Sequence, residues 1–198
     1  MEILDCVQGS PEWFDARLGS IGGSSIAAVM AKGQGKMRKT LMYRLAGEIL
    51  SGQSYEGYTN FHMERGLEQE DMARREYQMI KRTKVEQLGL IRKSKHKHYS
   101  PDGVVGHDII EIKCVIPSVH VETIISDKVP AQYRKQCQWG IDICDSDWCD
   151  FTSYSPLIAD KPIWIKRVGR DDKLIKELNE GADKFIDELL AIVEKIRK

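Results

Sequence analysis

Asp102, Glu111 and Lys113, close together in the middle of the 198-residue chain, have the types and spacing to hydrolyse a phosphodiester. That reaction needs charge stabilisation at a pentavalent phosphorus and an activated water, and Mg²⁺ held by carboxylates supplies both. Asp102 lies in Ser100-Pro101-Asp102-Gly103, a bend from which its side chain can project. Glu111-Ile112-Lys113 reads as part of the following strand, where alternation puts Glu111 and Lys113 on one face. Ile112 would then offer its backbone carbonyl as a further metal ligand while its side chain enters the core on the other face. Lys113 would orient the attacking water or neutralise charge in the transition state. Glu-x-Lys is also a common exposed pair on strands with one wet face, so the upstream Pro-Asp at hairpin distance is what makes it informative.

Elements on either side must hold these groups in place. Ser10-Pro11-Glu12 predicts a helix start, with a capping hydroxyl, a proline that wastes no N–H and an acid in the first turn, and Gly19 is a plausible stop. Gly22-Gly23-Ser24-Ser25 reads as a loop delivering N–H groups to a second helix over 26–30, and a third helix is expected over 40–50. Helical spacing continues over 61–79, with Leu67, Met72 and Tyr77 among the expected buried positions. Three short β-branched pieces, 85–91, 99–105 and 109–115, predict an antiparallel meander. A helix over 130–144, strands over 148–154 and 162–168, and a final amphipathic helix from about Asp171 complete the chain. That last helix carries Leu174, Leu178, Phe185, Leu189, Ile192 and Ile196. The order implies an α/β fold, a central mixed β-sheet flanked by helices.

A 41% hydrophobic content without low-complexity runs is enough for one core, so 1–198 is read as a single domain. No apolar stretch can span a bilayer and the acidic start lacks a secretory n-region, so no membrane partner and a cytoplasmic location are expected. Cys6, Cys114, Cys137, Cys144 and Cys149 form no CxxC pair and read as reduced thiols. His62, His96, His98, His107 and His120 show no ligand spacing. The net charge is zero, but cations gather in Lys32, Lys36, Arg38, Lys39 and Arg44 and again in Arg92, Lys93, Lys95 and Lys97 with His96 and His98. These are candidate phosphate-facing patches or ordinary solvated surface.

Pro-Asp followed by Glu-x-Lys resembles the PD-(D/E)XK nuclease signature. The wider set of motifs is similar to the phage lambda exonuclease family of viral recombinases. Trp13 with Ala16-Arg17-Leu18-Gly19, Gly-Gly-Ser-Ser, Arg65-Gly66-Leu67-Glu68-Gln69-Glu70, Ser-Pro-Asp-Gly, Glu-Ile-Lys-Cys and Gln136-Cys137-Gln138-Trp139 occur in that order. The resemblance implies a restriction-endonuclease-like fold and a 5′→3′ exonuclease acting on double-stranded DNA ends that carry a 5′-phosphate. It also implies a two-metal Mg²⁺ site with Mn²⁺ as a substitute, a ring-shaped homotrimer, and a phage single-strand annealing protein as partner.

Carried over by position, Asp102 and Glu111 match metal ligands, Lys113 the catalytic lysine, Glu70 a helix carboxylate assisting a second metal, and Gln136 an active-site glutamine. Arg17 and Ser24 match the pocket for the terminal 5′-phosphate, which suits a guanidinium fork beside a helix N-terminus. Met63 falls where the family places an apolar wedge against the end base pair, although the residue type differs. Gly22 stands where the family has a hydroxyl residue, leaving Ser24 and Ser25 as donors. In a ring, Lys36 and Arg38 would line the channel that contacts product DNA. On spacing alone, Glu70 is one of several acids on its helix, Arg17 has Glu12 and Asp15 as neighbours, and Gln136 is a polar helix position. An endonuclease or junction resolvase on the same fold, or an inactive end-binding subunit, would share much of this sequence.

Overall fold

The computed structural model of the protein describes residues 1–31, 35–54 and 61–198, with only the backbone for 61–68. Lys32 and the side chains of Met63 and Leu67 lie outside the described residues.

The seven strands among the described residues form two sheets rather than one meander. β1 (Glu2–Leu4), β2 (Leu90–Ser94) and β3 (Lys97–Tyr99) pair antiparallel in that order. β4 (Gly103–Val105), β5 (Asp108–Cys114), β6 (Trp148–Tyr154) and β7 (Ile163–Gly169) make a mixed sheet in which only β5 and β6 run parallel. Two details of the chain explain the break. Strand β2 starts only at Leu90, because Gly89 packs where a Cβ would meet the Cys6 carbonyl oxygen at 2.1 Å. After β3, Pro101 has no N–H to continue a ladder, and the chain turns into the second sheet with Asp102 at the bend.

Helices α1 (Pro11–Ala16), α2 (Ile26–Val29), α3 (Lys36–Ser51), α4 (Phe61–Lys81), α5 (Pro117–Ser126), α6 (Ala131–Cys144) and α7 (Asp172–Arg197) surround the sheets. The Ser10 hydroxyl caps α1 by accepting from Trp13 N, as its position predicts. α5 forms the parallel crossover with α6; it is rich in β-branched residues, and its one sequence signal is Pro117 in the first turn. β1 and α5 are the elements that the sequence pattern did not announce.

The mixed sheet is covered on both faces. α6 packs Trp139, Ile141 and Cys137 against Ile109, Cys149 and Phe151, while α4 brings Ala73 and Tyr77 under Ile110 and Ile112. Gly140 is required on α6, since a Cβ there would lie 2.6 Å from the Tyr99 ring. Met72 is a correction: it is exposed, and Ala73 takes the buried position. On α7 the buried stripe is Ile175, Leu178, Ala182, Phe185, Leu189 and Val193, with Ile196 exposed in the last turn. No helix among the described residues is long and apolar enough to cross a membrane.

Candidate active site

Strand β5 alternates as expected. Ile110 and Ile112 enter the core beneath α4, and Glu111 and Lys113 share the opposite face, where the Lys113 ammonium contacts the Glu111 carboxylate. Asp102 reaches β5 from the bend before β4, its Oδ2 accepting from Ile112 N at 2.6 Å. Glu111 is 1% exposed and accepts from Gln136 Nε2 at 2.6 Å and from the Tyr99 hydroxyl. Lys113 also lies 5.7 Å from the centre of the Tyr133 ring. Glu70 approaches from α4, paired with Arg74 at 2.7 Å, and Arg74 Nε donates to the Asp102 carbonyl at 2.9 Å.

Asp102, Glu111, Lys113 and Glu70 therefore form one electrostatically coupled cluster, the carboxylate cleft, with Gln136 bonded to Glu111. Burial first, then the Glu111 and Glu70 charges, hold Asp102 well above the ordinary carboxylate range, against the pull of Lys113. Glu70 is raised for the same leading reason, opposed by Arg74 and Lys113. Burial alone would lower Lys113, but the carboxylates of Glu111 and Asp102 outweigh it and keep the ammonium charged. Burial and Glu111 push Tyr99 well above its usual range, so its hydroxyl remains a donor.

The donor chemistry fits a hard divalent cation. Asp102, Glu111, Glu70 and the Ile112 carbonyl would all offer oxygen, the donor type suited to Mg²⁺ or Mn²⁺, and the mutual repulsion of the three carboxylates is what such an ion would relieve. No group of three acidic, histidine or cysteine side chains among the described residues is already drawn together as a cage. Lys113 and Gln136 hold Glu111, and Arg74 holds Glu70, in this arrangement.

A second polar pocket opens on the other side of β3. Its lining includes Arg17, Ser24, Ser25, Arg44, Glu48 and His98. Arg17 stacks on Trp13, with its Cζ 3.8 Å from the ring centre, and its Nε donates to His98 Nε2 at 3.2 Å. His98 Nδ1 contacts the Ser20 hydroxyl. Burial, then the charges of Arg17, Arg92 and Arg44, pull His98 down to about 3, so the ring stays neutral and can accept from Arg17. Glu48, 3% exposed, accepts from Gly19 N and pairs with Arg44, both at 3.1 Å. Two guanidinium groups, one carboxylate and an exposed Ser24 leave the pocket suited to an anion. Ser25 closes its own turn through Gly22 O and N. Gly22 is also explained, since a Cβ there would lie 2.6 Å from His98 Nε2.

Sequence reading placed His98 in the second candidate phosphate-facing patch but did not join it to Arg17, because histidine spacing carries no trace of a contact between β3 and the Arg17 loop. It also left Arg44 among the surface cations, although a helix face shared with Glu48 at i, i+4 was available as a signal. Lys36 is exposed at the start of α3. Arg38 turns toward α7, pairing with Glu188 at 2.8 Å and lying 5.0 Å from the Phe185 ring centre. In the second basic cluster Lys93 pairs with Asp142 at 2.7 Å and Lys97 with Asp183 at 2.6 Å, so those charges stitch β2 and β3 to α6 and α7.

Residues 12–147 match the YqaJ-like viral recombinase domain. The alkaline exonuclease LHK-Exo from Laribacter hongkongensis is 36% identical, with a TM-score of 0.88 over 95% of this chain and 96% of that one. The same enzyme in complex with dAMP gives a TM-score of 0.89 at 36% identity over the same shares of the two chains. A phage-related exonuclease from Haemophilus somnus shares the fold at 17% identity, with a TM-score of 0.64 over 87% of this chain and 95% of that one. No curated protein sequence matches the chain significantly.

Proposed function

The chain belongs to the YqaJ-like viral recombinase family, and we propose that it is a Mg²⁺-dependent exonuclease that degrades duplex DNA 5′→3′ from phosphorylated ends. The observation that carries this reading is the double use of β3. His98 faces the anion pocket, and the next residue, Tyr99, holds Glu111 in the carboxylate cleft. A further link joins the two, because the Trp13 indole that stacks on Arg17 donates to Ser100 Oγ at 2.8 Å, two residues before Asp102. An end phosphate and a nearby phosphodiester can thus be held by one connected framework.

Asp102, Glu111, Glu70 and the Ile112 carbonyl would hold the metal. When bound, Mg²⁺ supplies positive charge for the pentavalent phosphorus and activation of water. Lys113 keeps its proton and sits beside Glu111, where it orients the water or offsets charge on the phosphoryl oxygens. Gln136 and Tyr99 fix the Glu111 carboxylate from the side of α6 and β3. Arg17, Arg44 and Ser24 take the terminal 5′-phosphate. The product would be a duplex with 3′ single-stranded tails, the substrate of a phage-type single-strand annealing protein.

A closed ring of three subunits is part of the same proposal, with Lys36 facing the product backbone and Met63 against the end base pair. Light scattering checks the ring: a mass of one or two subunits, with long tracts still digested under excess competitor DNA, contradicts it. The activity itself is tested on linear duplex, nicked circle and intact circle, each with and without Mg²⁺. Loss of linear DNA alone, with a 5′ label released first, supports the proposal. Cutting of the intact circle points to an endonuclease, and end binding without digestion to an inactive subunit.

A further inference from the structure

We propose that Arg74 is a positioning residue that fixes the helix carboxylate relative to the sheet carboxylates and so sets the affinity of the cleft for a divalent cation. The inference rests on the metal-dependent reading above. Glu70 belongs to α4 and Asp102 to the bend before β4, and their separation depends on how the helix seats against the sheet. Arg74, 6% exposed, spans that boundary. Its Nη2 binds Glu70 Oε1 at 2.7 Å, its Nε donates to the Asp102 carbonyl at 2.9 Å, and its Nη1 binds Asp71 Oδ1 at 3.1 Å. With its amide oxygen toward Arg74, Gln87 accepts from Nη1 and Nη2, both at 3.1 Å.

A guanidinium presents five N–H groups in a rigid plane, so these acceptors are fixed relative to one another as well as to Arg74. Helical spacing places Arg74 one turn beyond Glu70 on the same face, which aims the fork at the sheet. An ammonium would reach fewer of these partners at once and would fix none of the angles. The charge of Arg74 by itself works against a cation held nearby. Its removal therefore separates two roles with opposite signs: loss of positioning weakens metal binding, whereas loss of repulsion alone strengthens it.

The test is Mn²⁺ binding to the DNA-free protein, followed by calorimetry and electron paramagnetic resonance. Wild type is compared with Arg74→Gln, Arg74→Lys, Glu70→Gln and the Glu70→Gln/Arg74→Gln double variant, with thermal melts in parallel. Arg74→Gln is expected to weaken Mn²⁺ binding about tenfold or more, with Arg74→Lys in between. In the Glu70→Gln background the loss from Arg74→Gln should shrink, because part of it acts through Glu70. Folded Arg74 variants binding Mn²⁺ within twofold of wild type, or more tightly, overturn the inference. If Arg74→Gln fails to fold, wild-type affinity in Arg74→Lys overturns it equally. Wild-type protein that binds no Mn²⁺ overturns the metal reading as well, and is distinguished by the absence of binding before any substitution.

Discussion

Asp102, in the bend leading to β4, and Asp150 on β6 belong to the same region of sheet, and their surroundings treat them in opposite ways. Asp150 is 0% exposed but richly partnered: it accepts from Tyr77 OH at 2.8 Å and from Arg167 Nε and Nη2 at 2.9 and 3.0 Å, and Lys81 lies 3.7 Å away. Burial alone would raise its proton affinity, but Arg167 and Tyr77 overcome that and leave it below the usual carboxylate range. Asp102 shares its cleft with Glu111 and Glu70, and the combined effect is upward. One network has more positive partners than carboxylates and fastens α4 to β6 and β7. The other sets three carboxylates against Lys113 and Arg74, and the proposed cation site rests on that surplus of negative charge.

The contrast breaks if substitutions at the two places have similar consequences. Glu111→Gln and Lys113→Ala should each lower digestion by about a hundredfold to a thousandfold or more per folded molecule while leaving DNA-end binding nearly unchanged. Single-turnover digestion beside an end-binding titration measures this, and near-normal turnover in either variant removes these residues from the mechanism. Asp150→Asn should do the reverse. It should cost about 3 kcal/mol of stability, the low end for a broken buried pair because Arg167 remains half exposed, with the digestion rate per folded molecule retained. Urea unfolding and digestion at low temperature check the two halves.

A smaller effect concerns the anion pocket. Duplex with 5′-hydroxyl ends should be digested about tenfold more slowly than its phosphorylated counterpart, and Arg17→Ala should erase most of the difference, as expected for a charge-assisted contact. Equal rates on both ends in the wild type remove the pocket from the mechanism.

A further effect is on pH dependence. His98 is lowered in the folded state, so it contributes stability that is fully present above its unfolded value near 6.5 and is lost as pH falls from there toward about 3. The slope it adds is at most about 1.4 kcal/mol per pH unit, and His98→Gln should flatten the melting profile across that window. An unchanged profile means that burial and the charges of Arg17, Arg92 and Arg44 do not hold His98 neutral.

Local chemistry carried much of this into the sequence. Ser10 and Pro11 announced α1, and the alternation through Glu111, Ile112 and Lys113 placed two side chains in the cleft and one in the core. The same alternation could not say that β2 and β3 leave the second sheet, because that depends on Gly89 passing the Cys6 carbonyl and on Pro101 lacking a donor. Helix α5 was hidden by β-branched residues that favour strands in isolation, and it is anchored by His120, buried between Ser153 Oγ at 2.8 Å and the Lys161 carbonyl at 2.9 Å. Arg74, Tyr99 and His98 belong to no short motif. Helical spacing could pair Arg74 with Glu70, but its bond to the Asp102 carbonyl and the bonds of Tyr99 and His98 join residues from 12 to 81 apart in sequence, and only the folded chain brings those together.

The most direct test of the carboxylate cleft is restoration of activity by metal. Protein stripped with a chelator and dialysed should leave a 5′-phosphorylated linear duplex intact, added Mg²⁺ should restore digestion in a saturable way, and Glu111→Gln should remain inert at Mg²⁺ levels that saturate the wild type. Undiminished digestion by the stripped wild-type protein in the continued presence of chelator would contradict the account.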